Sequence, residues 1–189
     1  MTYADSTPRL KRVYEVAETP AEYVFRPKLY LDTTIPSYLT SRRSRNETIA
    51  RRQWLTTVWW KIHREKFDVY ISEYVIDEVK RGDPEAARLR LDALAAVPEL
   101  TPMAQVKTLA RQLLEGCSLP ETAAKDAAHV AIAALHGMKF LLTWNCTHLA
   151  NPVLAQRVDL TCQAFGLRCP TLCTPEDIMR YTDYERSNR

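Results

Sequence analysis

The feature that most constrains this chain is its alternation of short apolar runs with longer segments of helical period. Lys28-Leu29-Tyr30-Leu31, Asp68 to Ser72, Lys139 to Thr143 and Thr171-Leu172-Cys173 are too short for helices and end at turn or cap residues, as buried strands do. Pro98 to Pro102 has room for one more short strand. The intervening segments are long enough for helices, which is the spacing of βαβ units. The pattern predicts an α/β fold of three layers, α/β/α, with a mostly parallel, Rossmann-like central sheet.

The helices announce their ends. Ile35-Pro36-Ser37-Tyr38-Leu39 reads as a turn into a short helix. Asn46 caps a helix predicted to reach about Lys66, with Ile49, Trp54, Leu55, Val58, Trp59 and Ile62 as its apolar face and Trp60 as the exposed aromatic. Such a stripe suits core or a dimer seam better than a base-stacking platform. Gly82 terminates a helix that includes Glu78, and Asp83-Pro84 opens the next, whose buried side is read as Leu89, Leu91, Leu94 and Val97. A helix from about Ala104 to Glu115 follows. Ala123 to Leu135 is the most apolar helix, and its alanines allow close approach to a sheet. Asn151-Pro152 and Thr174-Pro175-Glu176-Asp177 open the last two helices, so Glu176 and Asp177 are explained by the helix dipole.

At 189 residues the chain reads as one domain, 27–189, behind a loosely ordered charged extension, 1–26. The Met1 region lacks the apolar core of a signal peptide, and no apolar run is long enough to span a membrane. Five cysteines without paired CxxC spacing argue against a disulfide framework or a structural zinc site and point to a cytoplasmic protein. Four glycines, with neither GxGxxG nor a P-loop, argue against a nucleotide-cradling loop. A net charge of +3 is too small to announce nucleic-acid binding. Locally, however, Arg42, Arg43, Arg45, Arg51 and Arg52 cluster closely enough to form either a solvated face or a phosphate-contacting rim.

Polar groups recur where parallel strands would end. Asp32 follows the first strand, Glu78 lies in the helix after the second, and Asn145 follows the strand ending at Thr143. In an open parallel sheet these converge on the edge where ligands bind. Taken alone, Asp32 serves equally as a cap for the next turn or as a catalytic acid. Asp126 interrupts the alanine-rich helix, where an unpaired charge on a buried face would be costly. Thr34 stands where an aspartyl phosphotransferase carries its second acid, and no nucleophile elbow is present. Among the histidines, His129 shares a helix face with Asp126 and suits a supporting part. His148 is a loop residue within reach of a substrate phosphate, and Glu73 is the better supporting acid beside Glu78.

Leu29 to Thr33, Ser72 through Glu78 to Gly82, Lys125-Asp126-Ala127-Ala128-His129-Val130-Ala131-Ile132-Ala133, and Phe140 to Asn145 together resemble, in order and spacing, the PIN-domain nucleases. Within that family the chain looks most like the VapC-type toxins of toxin–antitoxin pairs, over about residues 28–180. The resemblance implies that Asp32, Glu78 and Asp126 are catalytic, metal-holding acids. Asn145 takes a place where many members carry a fourth Asp, and Thr33 and Thr143 are supporting hydroxyls. It implies Mg²⁺ or Mn²⁺ as cofactor, which oxygen ligands suit, and hydrolysis of RNA phosphodiester bonds. Arg42, Arg43 and Arg45 would contact substrate or acidic residues of a cognate antitoxin. The neutral Asn145 leaves a rival expectation, a PIN-like module that binds nucleic acid or a protein partner without cutting.

Overall fold

The computed structural model describes residues 26–145 and 152–187. The predicted extension before residue 26 and the loop holding His148 lie outside the described residues. Four strands, β1 (Lys28–Leu31), β2 (Asp68–Tyr70), β3 (Phe140–Leu142) and β4 (Thr171–Cys173), form an all-parallel sheet in the order β2-β1-β3-β4. Leu29 faces Val69 on one side and Phe140 on the other. Leu29, Tyr30 and Leu31 are completely buried, which is why β1 reads as a continuous apolar run without alternation.

Helices α1 (Thr34–Thr40) and α2 (Glu47–Val58) lead from β1 to β2. The return to β3 passes through α3 (Glu73–Val79), α4 (Pro84–Leu94), α5 (Val106–Gly116) and α6 (Ala124–Leu135). Helix α7 (Pro152–Ala164) precedes β4, and α8 (Pro175–Ser187) follows it. The chain leaves β1 in one direction for β2 and then crosses to β3 and β4 in the other. Right-handed crossovers in those two directions put helices on both faces of the sheet, with α4 reaching α1. Helix α2 packs with α1 and α8, whereas α5 packs with α6 and α7, an arrangement compatible with three layers. Strand order reverses between β1 and β3, and the strand ends at Leu31 and Leu142 are where open parallel sheets bind ligands.

Local chemistry fixes several boundaries. The Asn46 side chain accepts from Ile49 N at 3.1 Å, and Asp83 accepts from Ala86 N at 2.9 Å with Pro84 behind it. Such caps are worth about 1 kcal/mol each. Gly82 adopts φ +89° after α3, a conformation that other residues reach only with strain. From Ala127 to Ala134 every residue of α6 is buried, and its alanines let the helix sit between α5 and the sheet.

Five details differ from the sequence reading. No strand forms over 98–102: Ile71 makes a single parallel bridge to Glu99, donating to Pro98 O and accepting from Leu100 N. Pro98 and Pro102 have no N–H to extend that ladder. The helix predicted from Asn46 to Lys66 is α-helical only to Val58, then turns through a π segment (Trp59–His63) and a 3-10 turn (Arg64–Lys66). Its buried face is carried by Gln53, Leu55, Thr56 and Trp59, while Ile49, Trp54 and Ile62 are exposed. The polar members are buried because they have bonding work: Gln53 binds the preceding loop and Thr56 accepts from Trp144 Nε1. Trp54, not Trp60, is the exposed aromatic; Trp60 is half-buried, with the Arg64 guanidinium over its ring. On α4, Leu89 is exposed whereas Ala87 and Leu94 are buried, and Arg90 reaches across to the carbonyls of Val79 and Arg81.

Candidate active site

Asp32 stands at the reversal of strand order. Its amide donates to Leu142 O at 3.1 Å, continuing the β1–β3 ladder one step past the strand, so its side chain stands at the carboxyl end of the sheet. The carboxylate is 3% exposed. One oxygen accepts from Thr34 N (2.9 Å) and Thr34 Oγ1 (2.5 Å), the other from Thr143 Oγ1 (2.5 Å). Asp32 thus does bind the first turn of α1, as a cap would, while a second oxygen is tied to the neighbouring strand. Burial pushes its carboxyl pKa up, against the charge of His129 and the hydrogen bonds from Thr143 and Thr34.

Thr143 and Asn145 carry the network onward. The buried Thr143 hydroxyl accepts from Asn145 N at 2.9 Å, and Asn145 Nδ2 donates to Asp126 Oδ2 at 2.8 Å. Asp126 is half-buried in the first turn of α6, not on its wholly apolar face, so the expected cost of a buried unpaired charge does not arise. The amide at Asn145 has a direct physical role, because a donor is what a neighbouring carboxylate can use. An Asp there would set two like charges face to face.

The other limb centres on Glu78, on α3. It accepts from Thr33 Oγ1 and from His129 Nε2 (3.3 Å), and pairs with Lys125 Nζ (3.4 Å). The hydrogen bond from His129 is the main reason its carboxyl falls to about 2, with Thr33, the His129 charge and Lys125 adding to it and burial opposing. Lys125, Asp126 and His129 all project from α6, so one helix serves both limbs.

Behind Glu78 lies a chain the sequence reading did not anticipate. His129 Nδ1 meets Tyr30 OH at 2.9 Å, and Tyr30 OH meets Ser72 Oγ at 2.7 Å. An ionised Glu78 only accepts, so His129 Nε2 donates to it, and the Tyr30 hydroxyl bridges the other ring nitrogen to Ser72. Burial drives the Tyr30 pKa upward, keeping the phenol protonated. The available signal was a tyrosine in an otherwise aliphatic central strand, since a buried phenol needs a partner. Thr34 was also missed in its positive role, having drawn notice only for not being an acid.

Asp32, Glu78, Asp126, Asn145, Thr33, Thr143 and His129 are therefore brought together, in two bonded limbs joined by the Asp32–Thr33 backbone and by α6. Arg42, Arg43 and Arg45 lie outside that network, exposed in the loop between α1 and α2. Glu73 is exposed, and Asp77 pairs with Lys80 at 3.9 Å, so neither supports Glu78. The donor set is oxygen-rich and suits a hard cation such as Mg²⁺ or Mn²⁺. Among the described residues no group of three or more His, Cys, Asp or Glu is arranged to hold a metal. Magnesium needs only one or two carboxylates and keeps its waters, so the fit rests on the buried Asp32, whose ionised form a cation would favour. No family model matches the chain, and no curated protein matches it.

Proposed function

We propose that this chain is a PIN-like, metal-dependent endoribonuclease that hydrolyses RNA phosphodiester bonds in the cytoplasm, as the toxin of a toxin–antitoxin pair. The observation that carries the reading is the convergence of Asp32, Glu78, Asp126 and Asn145 at the reversal of strand order, linked by hydroxyls and an amide. Asp32, Glu78 and Asp126 would hold Mg²⁺ or Mn²⁺ with Asn145 beside them; when bound, such an ion polarises the phosphoryl oxygens and activates water. Thr34 and Thr143 fix both oxygens of Asp32. Asn145 orients Asp126, and His129, Thr33 and Lys125 keep Glu78 ionised. Arg42, Arg43 and Arg45 would meet substrate phosphates or the acidic residues of an antitoxin.

The neutral amide of Asn145 favours a second reading, a module that binds RNA or a protein partner without cutting. Incubating the purified chain with total cellular RNA and Mg²⁺, mapping the ends, and repeating with Asp32→Asn and Asp126→Asn separates the two. Metal-dependent cleavage lost in both variants is expected. Cleavage unchanged in both variants would remove the site assignment, and RNA binding without cleavage by the natural sequence would favour the binding module. A short reading frame immediately upstream of the gene would support an antitoxin partner.

A further inference from the structure

A second surface lies along α2. A groove of roughly 620 Å³ is lined by Tyr38, Arg43, Arg51, Gln53, Trp54 and Thr57 among others, with Glu47 the one acid against its two arginines. Trp54 is 62% exposed. A single exposed aromatic is ordinary, but one in a groove carrying arginines is the pairing that single-stranded nucleic acid uses, a ring for the base and cations for the backbone. Arg51 is held only by an exposed ion pair to Glu176 at 3.1 Å, of a kind worth little and readily exchanged for phosphate.

The wall of the groove is also packed onto the acidic cluster. Its wall residue Tyr38 packs edge-on to Trp144, ring centroids 6.0 Å apart, and receives a bond from Arg52 at 3.4 Å. Trp144 N donates to Thr34 Oγ1 at 2.8 Å, and Thr34 in turn donates to Asp32. From the groove to Asp32 is thus a path of three packed or bonded residues.

Resting on the endoribonuclease reading, we propose that this groove is a single-stranded RNA subsite, in which a base stacks on Trp54 while Arg43 and Arg51 contact the flanking phosphates. Duplex RNA has its bases already stacked and offers no free face to the ring. An acidic peptide would satisfy the arginines without needing Trp54, and a second copy of the chain would cover the ring without needing the arginines.

The test measures fluorescence anisotropy of a labelled single-stranded oligouridylate of about 12 nucleotides on the Asp32→Asn chain in EDTA, with the matching duplex and an oligoglutamate as comparisons. Trp54→Ala is expected to weaken single-strand binding by about 5- to 150-fold, the loss that follows removal of one stacked base, with Trp54→Phe retaining part of it. Arg43→Ala should lower the slope of log affinity against log salt by about 0.7. Single-strand affinity unchanged in Trp54→Ala would overturn the proposal. So would an equal loss on the duplex or the oligoglutamate, or a dimer in sedimentation velocity that Trp54→Ala dissociates while leaving RNA affinity intact. Trp54-dependent binding by a chain that never cleaves would leave the subsite standing and remove the nuclease reading; cleavage with Trp54-independent binding would do the reverse.

Discussion

Glu78→Gln isolates the charge of one limb of the site. Glutamine keeps the shape and can still accept from Thr33 and His129, so the change removes mainly the ionised carboxylate. The carboxyl has an ordinary value of 4.5 and sits at about 2 in the fold, chiefly because His129 donates to it. At 1.36 kcal/mol per pKa unit that gap has a ceiling of about 3 kcal/mol, and solvent screening of this partly exposed carboxyl cuts it to about 1–2 kcal/mol. The group's folded value is depressed, so its contribution is fully present above the unfolded value and is lost as pH falls toward the folded one. The stability gap between natural sequence and variant should therefore be largest near pH 6 and narrow by about 1 kcal/mol by pH 3. Urea unfolding followed by circular dichroism at intervals across that range measures it, and taking the difference cancels every group that titrates alike in both chains. A gap that stays constant, or widens as pH falls, would refute the claim that His129 and Thr33 stabilise an ionised Glu78.

The remaining expectations concern the other residues of the network. Thr143→Val removes a hydrogen bond to the buried Asp32 and should cost about 1.5–3 kcal/mol in chemical denaturation at neutral pH while raising the Asp32 pKa further. Asn145→Asp replaces the amide that serves Asp126 with a like charge. It should lower Tm in EDTA, and Mg²⁺ should raise its Tm more than it raises that of the natural sequence. Tyr30→Phe deletes the hydroxyl between Ser72 and His129 and should cost about 1–3 kcal/mol, with any cleavage activity falling as His129 loses its partner.

The sequence was most informative where a single physical rule decides. Buried parallel strands must be apolar runs, and β1 and β3 lie where that rule puts them. Asn46, Gly82 and Asp83-Pro84 mark boundaries because capping chemistry is local. It was least informative where a residue's use depends on partners distant in the chain. Gln53 and Thr56 look like surface residues of α2 until their bonds to the 41–44 loop and to Trp144 are seen; counting apolar positions places Leu55 and Trp59 correctly but adds Ile49, Trp54 and Ile62, which are exposed. The same holds at the site. Asp32, Glu78, Asp126 and Asn145 are recognisable by their order, whereas the Tyr30–His129 contact joins residues 99 positions apart and has no local signature.

The Gln53 clamp has a consequence for association. Its side chain donates to Ser41 Oγ at 2.7 Å and Arg42 O at 2.8 Å and accepts from Ser44 N at 2.9 Å. The backbone carrying Arg42 and Arg43 is consequently set before anything docks. Fixing a residue's backbone costs about 1–2 kcal/mol of conformational entropy, and folding has already absorbed that cost here. A phosphate chain or acidic partner arriving at this loop need restrict only the arginine side chains, so one buried amide on α2 preorganises the binding surface whose wall it forms part of.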